Sequence, residues 1–168
     1  MCGRLYETYT DAELSFRYLN NRSITLPLLL PIYNLCPTQN SPVLRRVDGE
    51  RQFDLMRWQL VPATEPAFTT RLSTINARSE TFFESRLYRD LVIRQRCIIP
   101  ISGFFEWKRN AHRPRPFKIH LRDEAIMSLA GIWERWRPET QNEQMSFSIL
   151  TTAANEFMRD IHNRMPVI

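Results

Sequence analysis

Asp48-Gly49 stands between two apolar-rich stretches, residues 43–47 and 52–58. An Asp-Gly pair supplies the positive φ angles that a two-residue hairpin turn demands, so the spacing predicts two antiparallel strands. Short apolar runs of strand length recur down the chain: residues 97–101, 104–108 after a bend at Gly103, 117–121, 126–133 and 145–151. Helical signals are fewer. Thr10-x-x-Glu13 is a capping box that opens a helix with Leu14, Tyr18 and Leu19 on its buried face, and Asn20-Asn21 ends it. Residues 79–85, 88–94 and 154–161 read as short helices, the last closed out by Pro166. Residues 27–42, with Pro27, Pro31, Pro37 and Pro42, read as an extended, meandering loop; residues 62–74 are polar and irregular, and residues 113–116 a surface loop. Strands joined by hairpin-length links predict the α+β class, with a mostly antiparallel, curved, barrel-like sheet and short interspersed helices. No repeat or composition break marks a boundary, so residues 1–168 are expected to form a single domain.

A hydrophobic share of 43% and a charged share of 24% are those of a globular soluble protein. No apolar run reaches the ~18 residues that a membrane span needs, and residues 26–32 are broken by Pro27 and Pro31. Arg4, Glu7, Asp11 and Glu13 interrupt any signal-peptide pattern. Three cysteines, at positions 2, 36 and 97, are an odd number without close spacing, which argues against a disulfide framework and for a reducing cytosol. No CxxC, HxxxH or HxxE pattern is present, so neither a metal nor another cofactor is expected. The net charge is +5, and of 23 basic residues only Lys108 and Lys118 are lysines. Arginine meets phosphate bidentately and stacks on bases, which favours a polyanionic partner such as nucleic acid.

Met1-Cys2-Gly3-Arg4 offers a specific chemistry. A small second residue permits removal of Met1, and Cys2 then carries a thiol and a free α-amine on adjacent carbons. The amine titrates near ~7.7–8 and is partly neutral at physiological pH. Such an aminothiol condenses with an aldehyde to a Schiff base and closes through sulfur to a thiazolidine. Position alone leaves equal room for a cysteine that merely follows the start codon.

Other polar residues lie in apolar company. Glu106, in Gly103-Phe104-Phe105-Glu106-Trp107, is a general acid–base candidate if buried. Alternation puts it on the face opposite Phe105 and Trp107, which equally describes a solvent-facing strand residue. His162, at the end of the last predicted helix, is an acid, a phosphate contact or a surface cap; the helix C-terminus favours its imidazolium form. Asn76 either aims an amide at a reacting group or caps the turn after it. His112 and His120 have no neighbours that suggest chemistry, and Cys36 and Cys97 read as inert core thiols.

Several stretches occur together and in order: Met1-Cys2-Gly3-Arg4, Ile75-Asn76-Ala77-Arg78-Ser79-Glu80-Thr81, Arg96-Cys97-Ile98-Ile99-Pro100, Gly103-Phe104-Phe105-Glu106-Trp107, Ala130-Gly131-Ile132-Trp133 and Ile161-His162-Asn163-Arg164-Met165-Pro166-Val167. Arg57-Trp58 and Tyr33-Asn34-Leu35-Cys36-Pro37 add to them. The chain resembles the SOS-response-associated peptidase (SRAP) family over its whole length. The resemblance implies a protein that shields abasic sites in single-stranded DNA, with an N-terminal cysteine linked to the ring-opened sugar aldehyde. By the same resemblance Cys2 is the linking residue, Glu106 moves protons, His162 assists the Schiff-base chemistry, and Asn76 holds the N-terminal residue and the sugar. Arg4, Arg78, Arg86 and Arg164 match arginines along the DNA path, and Pro37 matches a loop proline at the lesion. A crosslinking, lyase-type activity is implied, in the cytoplasm and at the nucleoid if the source is bacterial, and a monomer is expected.

The chain departs from the family pattern twice. Trp58-Gln59-Leu60-Val61-Pro62-Ala63-Thr64 replaces a Trp-Gly motif, and no second tryptophan precedes Asn76, which leaves Phe68 as the available stand-in for base stacking. The family also continues for several dozen residues past the His-x-Arg-Met-Pro motif, adding strands that close the sheet, so this chain is expected to lack that segment or carry an open edge. Two rival functions stay open: a thiol peptidase with Cys2 as nucleophile and His162 or Glu106 as base, and a nucleic-acid-binding module with an idle cysteine.

Overall fold

The computed structural model describes residues 2–108, 115–137 and 143–168. Along the chain the elements are β1 (Arg4–Glu7), α1 (Asp11–Leu19), β2 (Ile32–Leu35), β3 (Asn40–Val47), β4 (Glu50–Trp58), β5 (Asn76–Arg78), α2 (Leu91–Arg94), β6 (Arg96–Ile101), β7 (Gly103–Trp107), β8 (Pro116–Ile119), β9 (Met127–Trp136), β10 (Gln144–Ala153), α3 (Glu156–Arg159) and β11 (Arg164–Pro166). Strands β10, β4, β3, β6 and β9 pair in that order, and β9 pairs back onto β10, closing a five-stranded barrel. Strand β10 runs parallel to β4 and β5; the other pairings are antiparallel. A second, antiparallel sheet has the order β2-β1-β7-β8. The α+β, barrel-like expectation holds.

Local chemistry explains the accurate expectations. Asp48 and Gly49 take φ of 48° and 86°, and the β3–β4 register then runs unbroken from Val47↔Glu50 to Asn40↔Arg57. Thr10 and Glu13 close the capping box, and Asn20 ends α1 in the left-handed conformation. Leu14, Tyr18 and Leu19 of α1 pack on Leu44 and Phe53 outside the barrel.

Several expectations need correction. Residues 27–42 are not a continuous loop: β2 adds to β1, and Pro42 lies inside β3 opposite Leu55. Residues 79–84 form turns closed by Thr81 N–H to Arg78 C=O and Glu84 N–H to Thr81 C=O, not a helix. Only Leu91–Arg94 and Glu156–Arg159 of the two later helices are helical, and Pro166 ends a strand rather than a helix. The bend falls at Ser102, where the chain leaves the barrel for the second sheet. Gly103 is required by close approach: a Cβ there would collide with the Ile119 carbonyl and the Tyr6 ring. Of the loop expected at residues 113–116, the first two lie outside the described residues, as does His112.

One core joins the two sheets. Leu5, Leu35 and Phe104 of the smaller sheet pack with Val43, Met56, Trp58, Ile99 and Phe147 of the barrel, and Cys2 lies in the same cluster. Truncating a side chain the size of Trp58 in such a core costs about 3–5 kcal/mol.

Candidate active site

Trp58 ties the site together. Its backbone N–H donates to Gln39 C=O at 2.9 Å and its C=O accepts from Thr38 N–H at 2.7 Å, which pins the loop carrying Pro37. Its indole N–H donates to Ile75 C=O at 2.9 Å, one residue before Asn76. Strand β5 then pairs with β10, Asn76 opposite Ile149 and Arg78 opposite Thr151. The amide of Asn76 reaches the N-terminus: Nδ2 donates to the Cys2 carbonyl at 3.0 Å, while Oδ1 is buried with no hydrogen-bond partner.

Cys2 is 1% exposed. Burial, and after it the carboxylate of Glu106, push its thiol well above the usual thiol range; a hydrogen bond from the Arg4 backbone N–H works in the opposite direction. The side chain at Cys2 is therefore a neutral thiol near physiological pH. Strand β1 carries this segment against β7, Arg4 opposite Phe105 and Leu5 opposite Phe104.

Glu106 is 5% exposed and shares its face of β7 with buried Phe104, whereas Trp107 is 37% exposed. The solvent-facing reading of Glu106 is corrected. Alternation had put Glu106 opposite Phe105 and Trp107, and it is these aromatics that face outward. Its Oε1 also accepts the Trp107 N–H at 3.2 Å.

His162 is buried, just beyond α3. Its Nδ1 accepts the Arg164 backbone N–H at 3.0 Å, the geometry of a ring that carries its proton on Nε2. Arg78 and Arg164 flank β10 on its two edges, because Thr151 pairs with Arg78 on one side and with Pro166 of β11 on the other. Arg78 is exposed, Arg4 and Pro37 are half-buried, and Arg86 is exposed in the turns before α2. Arg164 is already engaged: it meets Glu80 through two guanidinium nitrogens at 2.7 and 3.0 Å and donates to Thr151 C=O at 2.7 Å. That contact holds the Glu80 carboxyl down at about 2.

Phe68 is half-buried, with its ring 5.6 Å from that of Trp136 and 5.7 Å from the Arg57 guanidinium, so it packs on the barrel instead of projecting from it. Among the described residues no group of three or more His, Cys, Asp or Glu is arranged to hold a metal ion, and no helix is long and apolar enough to cross a membrane. Glu80 and Thr151 went unnoticed in the sequence as partners of Arg164. Nothing local marks them, since Glu80 lies 84 residues from its partner.

The family model described as SOS response associated peptidase (SRAP) matches residues 1–168. The chain belongs to the SRAP family. Among SRAP-like relatives, the abasic site processing protein YoaM of Bacillus subtilis is 34% identical, over 100% of this chain and 74% of its own length. YoqW of the same organism, also called an abasic site processing protein, is 36% identical over 100% of this chain and 75% of its own length. A more distant relative, the abasic site processing protein HMCES of Xenopus tropicalis, is 28% identical and matches 96% of this chain and 57% of its own. A crystal structure of a Bacteroides thetaiotaomicron protein superposes with a TM-score of 0.83 at 27% identity, over 98% of this chain and 75% of that one. A Bordetella bronchiseptica protein gives 0.82, also at 27% identity, over 99% and 83%.

Proposed function

We propose that this SRAP-family chain binds single-stranded DNA and captures abasic sites covalently through Cys2. The observation that supports this reading best is the hydrogen bond from Asn76 to the carbonyl of buried Cys2, whose thiol also feels the charge of Glu106. The names of the relatives as abasic site processing proteins point the same way.

The chemistry follows from the residues. With Met1 removed, the α-amine of Cys2 attacks the aldehyde of the ring-opened sugar to give a carbinolamine. A proton delivered to its hydroxyl lets water leave, and the iminium forms. The thiol then adds to the iminium carbon, its proton passing to the Glu106 carboxylate, and the C–S bond closes the thiazolidine. The balance is one aldehyde plus one aminothiol giving one ring and one water. A neutral thiol beside a carboxylate suits this last step, because sulfur is deprotonated only as it attacks. His162, with its proton on Nε2, and Asn76, with an unpaired oxygen next to the Cys2 backbone, hold and polarise the reacting groups. In this reading Arg4, Arg78 and Arg86 serve as phosphate contacts, and Pro37, on the loop that Trp58 pins, meets the lesion. A thiol peptidase asks for a stabilised thiolate, and the surroundings of Cys2 favour the opposite form.

Mass spectrometry after mixing the protein with a single-stranded oligonucleotide bearing one abasic site tests the proposal. The expected product is a 1:1 adduct at the summed mass less one water, on a chain that starts at Cys2. Retaining Met1 by an added N-terminal tag should abolish it. An adduct that survives the tag, or no adduct at all, would remove the thiazolidine route.

A further inference from the structure

Strands β3, β4 and β6 carry a second arginine group at the opposite end of the barrel. Arg46 lies directly across from Arg51 in the β3–β4 ladder. Two residues on from the Leu44↔Ile98 pair, the antiparallel β3–β6 register sets Arg46 beside Arg96 as well. The result is a row of three guanidinium groups on three adjacent strands, which lie about 4.8 Å apart. All three are exposed and line one groove of about 190 Å³ floored by Leu44 and Ile98.

Among the described residues none of the three makes an ion pair, and Asp54 is taken by Arg45 and Glu50 by Arg22. Like charges directly opposite one another destabilise a sheet, so the arrangement is unfavourable until an anion enters. Two of the side chains are also held in place by helix ends. Arg51 donates to the Tyr18 carbonyl in the last turn of α1 at 3.2 Å, and Arg96 reaches the Val92 carbonyl of α2 at 3.5 Å. Each leaves the rest of its planar donor fork facing the groove, on either side of Arg46.

We infer that this groove is a second anion site, separate from the Cys2 site, which takes closely spaced phosphate groups. Six residues of β3 separate Arg46 from Asn40 at the Trp58 end, a distance of roughly 20 Å along the strand. No residue of the Cys2 site contributes to it, and it does not depend on the covalent chemistry proposed above. Closely spaced phosphates come either from a nucleic-acid backbone or from a free polyphosphate.

Two probes distinguish these sources on the full chain: inorganic tripolyphosphate by calorimetry, and an unmodified oligothymidylate without abasic sites by fluorescence anisotropy. Tripolyphosphate should bind the unaltered protein, and Arg46→Ala/Arg96→Ala should weaken it by about tenfold or more. Arg46→Lys should fall between, because the charge stays and the fork is lost. The double variant should melt no lower than the parent, since it relieves repulsion between exposed residues. If oligothymidylate affinity falls too, with a salt slope shallower by about 0.7 per lost contact, the phosphates are those of a strand. If tripolyphosphate binding alone falls, the site serves a free polyphosphate. Tripolyphosphate binding that is absent from the parent, or undiminished in the double variant, overturns the site.

Discussion

Asn76 and Cys2 lie 74 residues apart in sequence and are joined by one hydrogen bond of 3.0 Å, from the Asn76 amide nitrogen to the Cys2 carbonyl. Asn76→Asp turns that donor into an acceptor facing an acceptor. The variant should be destabilised by about 1–3 kcal/mol in denaturant unfolding and should form the abasic adduct more slowly. Parental stability and rate together would mean that the contact does nothing.

Glu106 is buried, and Glu106→Gln keeps its shape without its proton chemistry. Binding of an abasic oligonucleotide should be unchanged, while adduct formation slows by ~10²–10⁴-fold. Cys2→Ser should give only an imine that borohydride traps, because oxygen closes the ring poorly. A time course of trapped and untrapped adducts checks both variants, and unchanged rates for Glu106→Gln would rule out its role as the proton acceptor.

Thiol reactivity should follow burial. Cys2 and Cys97 are buried and burial pushes both thiols up, whereas Cys36 is half-buried. Iodoacetamide at neutral pH should therefore alkylate Cys36 first in the folded chain and all three thiols only after denaturation, read by peptide mass. Because the folded thiols hold their protons more tightly than the unfolded ones, their contribution to stability is complete below the unfolded value of ~8.5 and lost as pH rises above it.

The Arg164–Glu80 pair makes the opposite prediction at low pH. Glu80 is depressed from 4.5 to about 2 by Arg164, so the pair stabilises the fold above pH 4.5 and the contribution disappears as pH falls to about 2. Glu80 is 46% exposed, so solvent screening keeps the effect below about 1 kcal/mol. Glu80→Gln should flatten this part of the acid unfolding curve. It should also release the Arg164 guanidinium and tighten single-stranded DNA binding, measured by anisotropy; Arg164→Ala should weaken it. Weaker binding in both variants would mean that Glu80 positions Arg164 rather than restraining it.

Glu7, 3% exposed at the end of β1, is raised to about 7, first by burial, against hydrogen bonds from Ser41 and Tyr9 that lower it. A carboxyl with a raised folded value favours the fold when protonated: full below pH 4.5, lost as pH rises through about 7. Glu7→Gln should therefore raise the melting temperature at pH 8, by an amount corresponding to up to ~3 kcal/mol, and change little at pH 4.5. A variant that is less stable at pH 8 would show that the charged form is well paired.

Local signals in the sequence were sufficient where the physics is local. The Asp48-Gly49 turn, the Thr10–Glu13 capping box and the left-handed stop at Asn20 all depend on a few neighbouring residues, and all three form. Residues 79–84 became turns although Thr81-x-x-Glu84 repeats the capping-box pattern, and the proline-rich 27–42 stretch hid β2 and the start of β3 because their pairing partners lie elsewhere in the chain. For the site, the motifs named Cys2, Asn76, Glu106 and His162 without their arrangement. Alternation along β7 determined that Glu106 and Trp107 point opposite ways; only packing against Leu5, Leu35 and the barrel decided that Glu106 points inward. Arg164 was legible as a cation, but its pairing with Glu80 across 84 residues was not. Periodicity and caps are written in short spans of sequence, whereas which face is buried and which charges meet depend on the closed barrel that brings distant strands together.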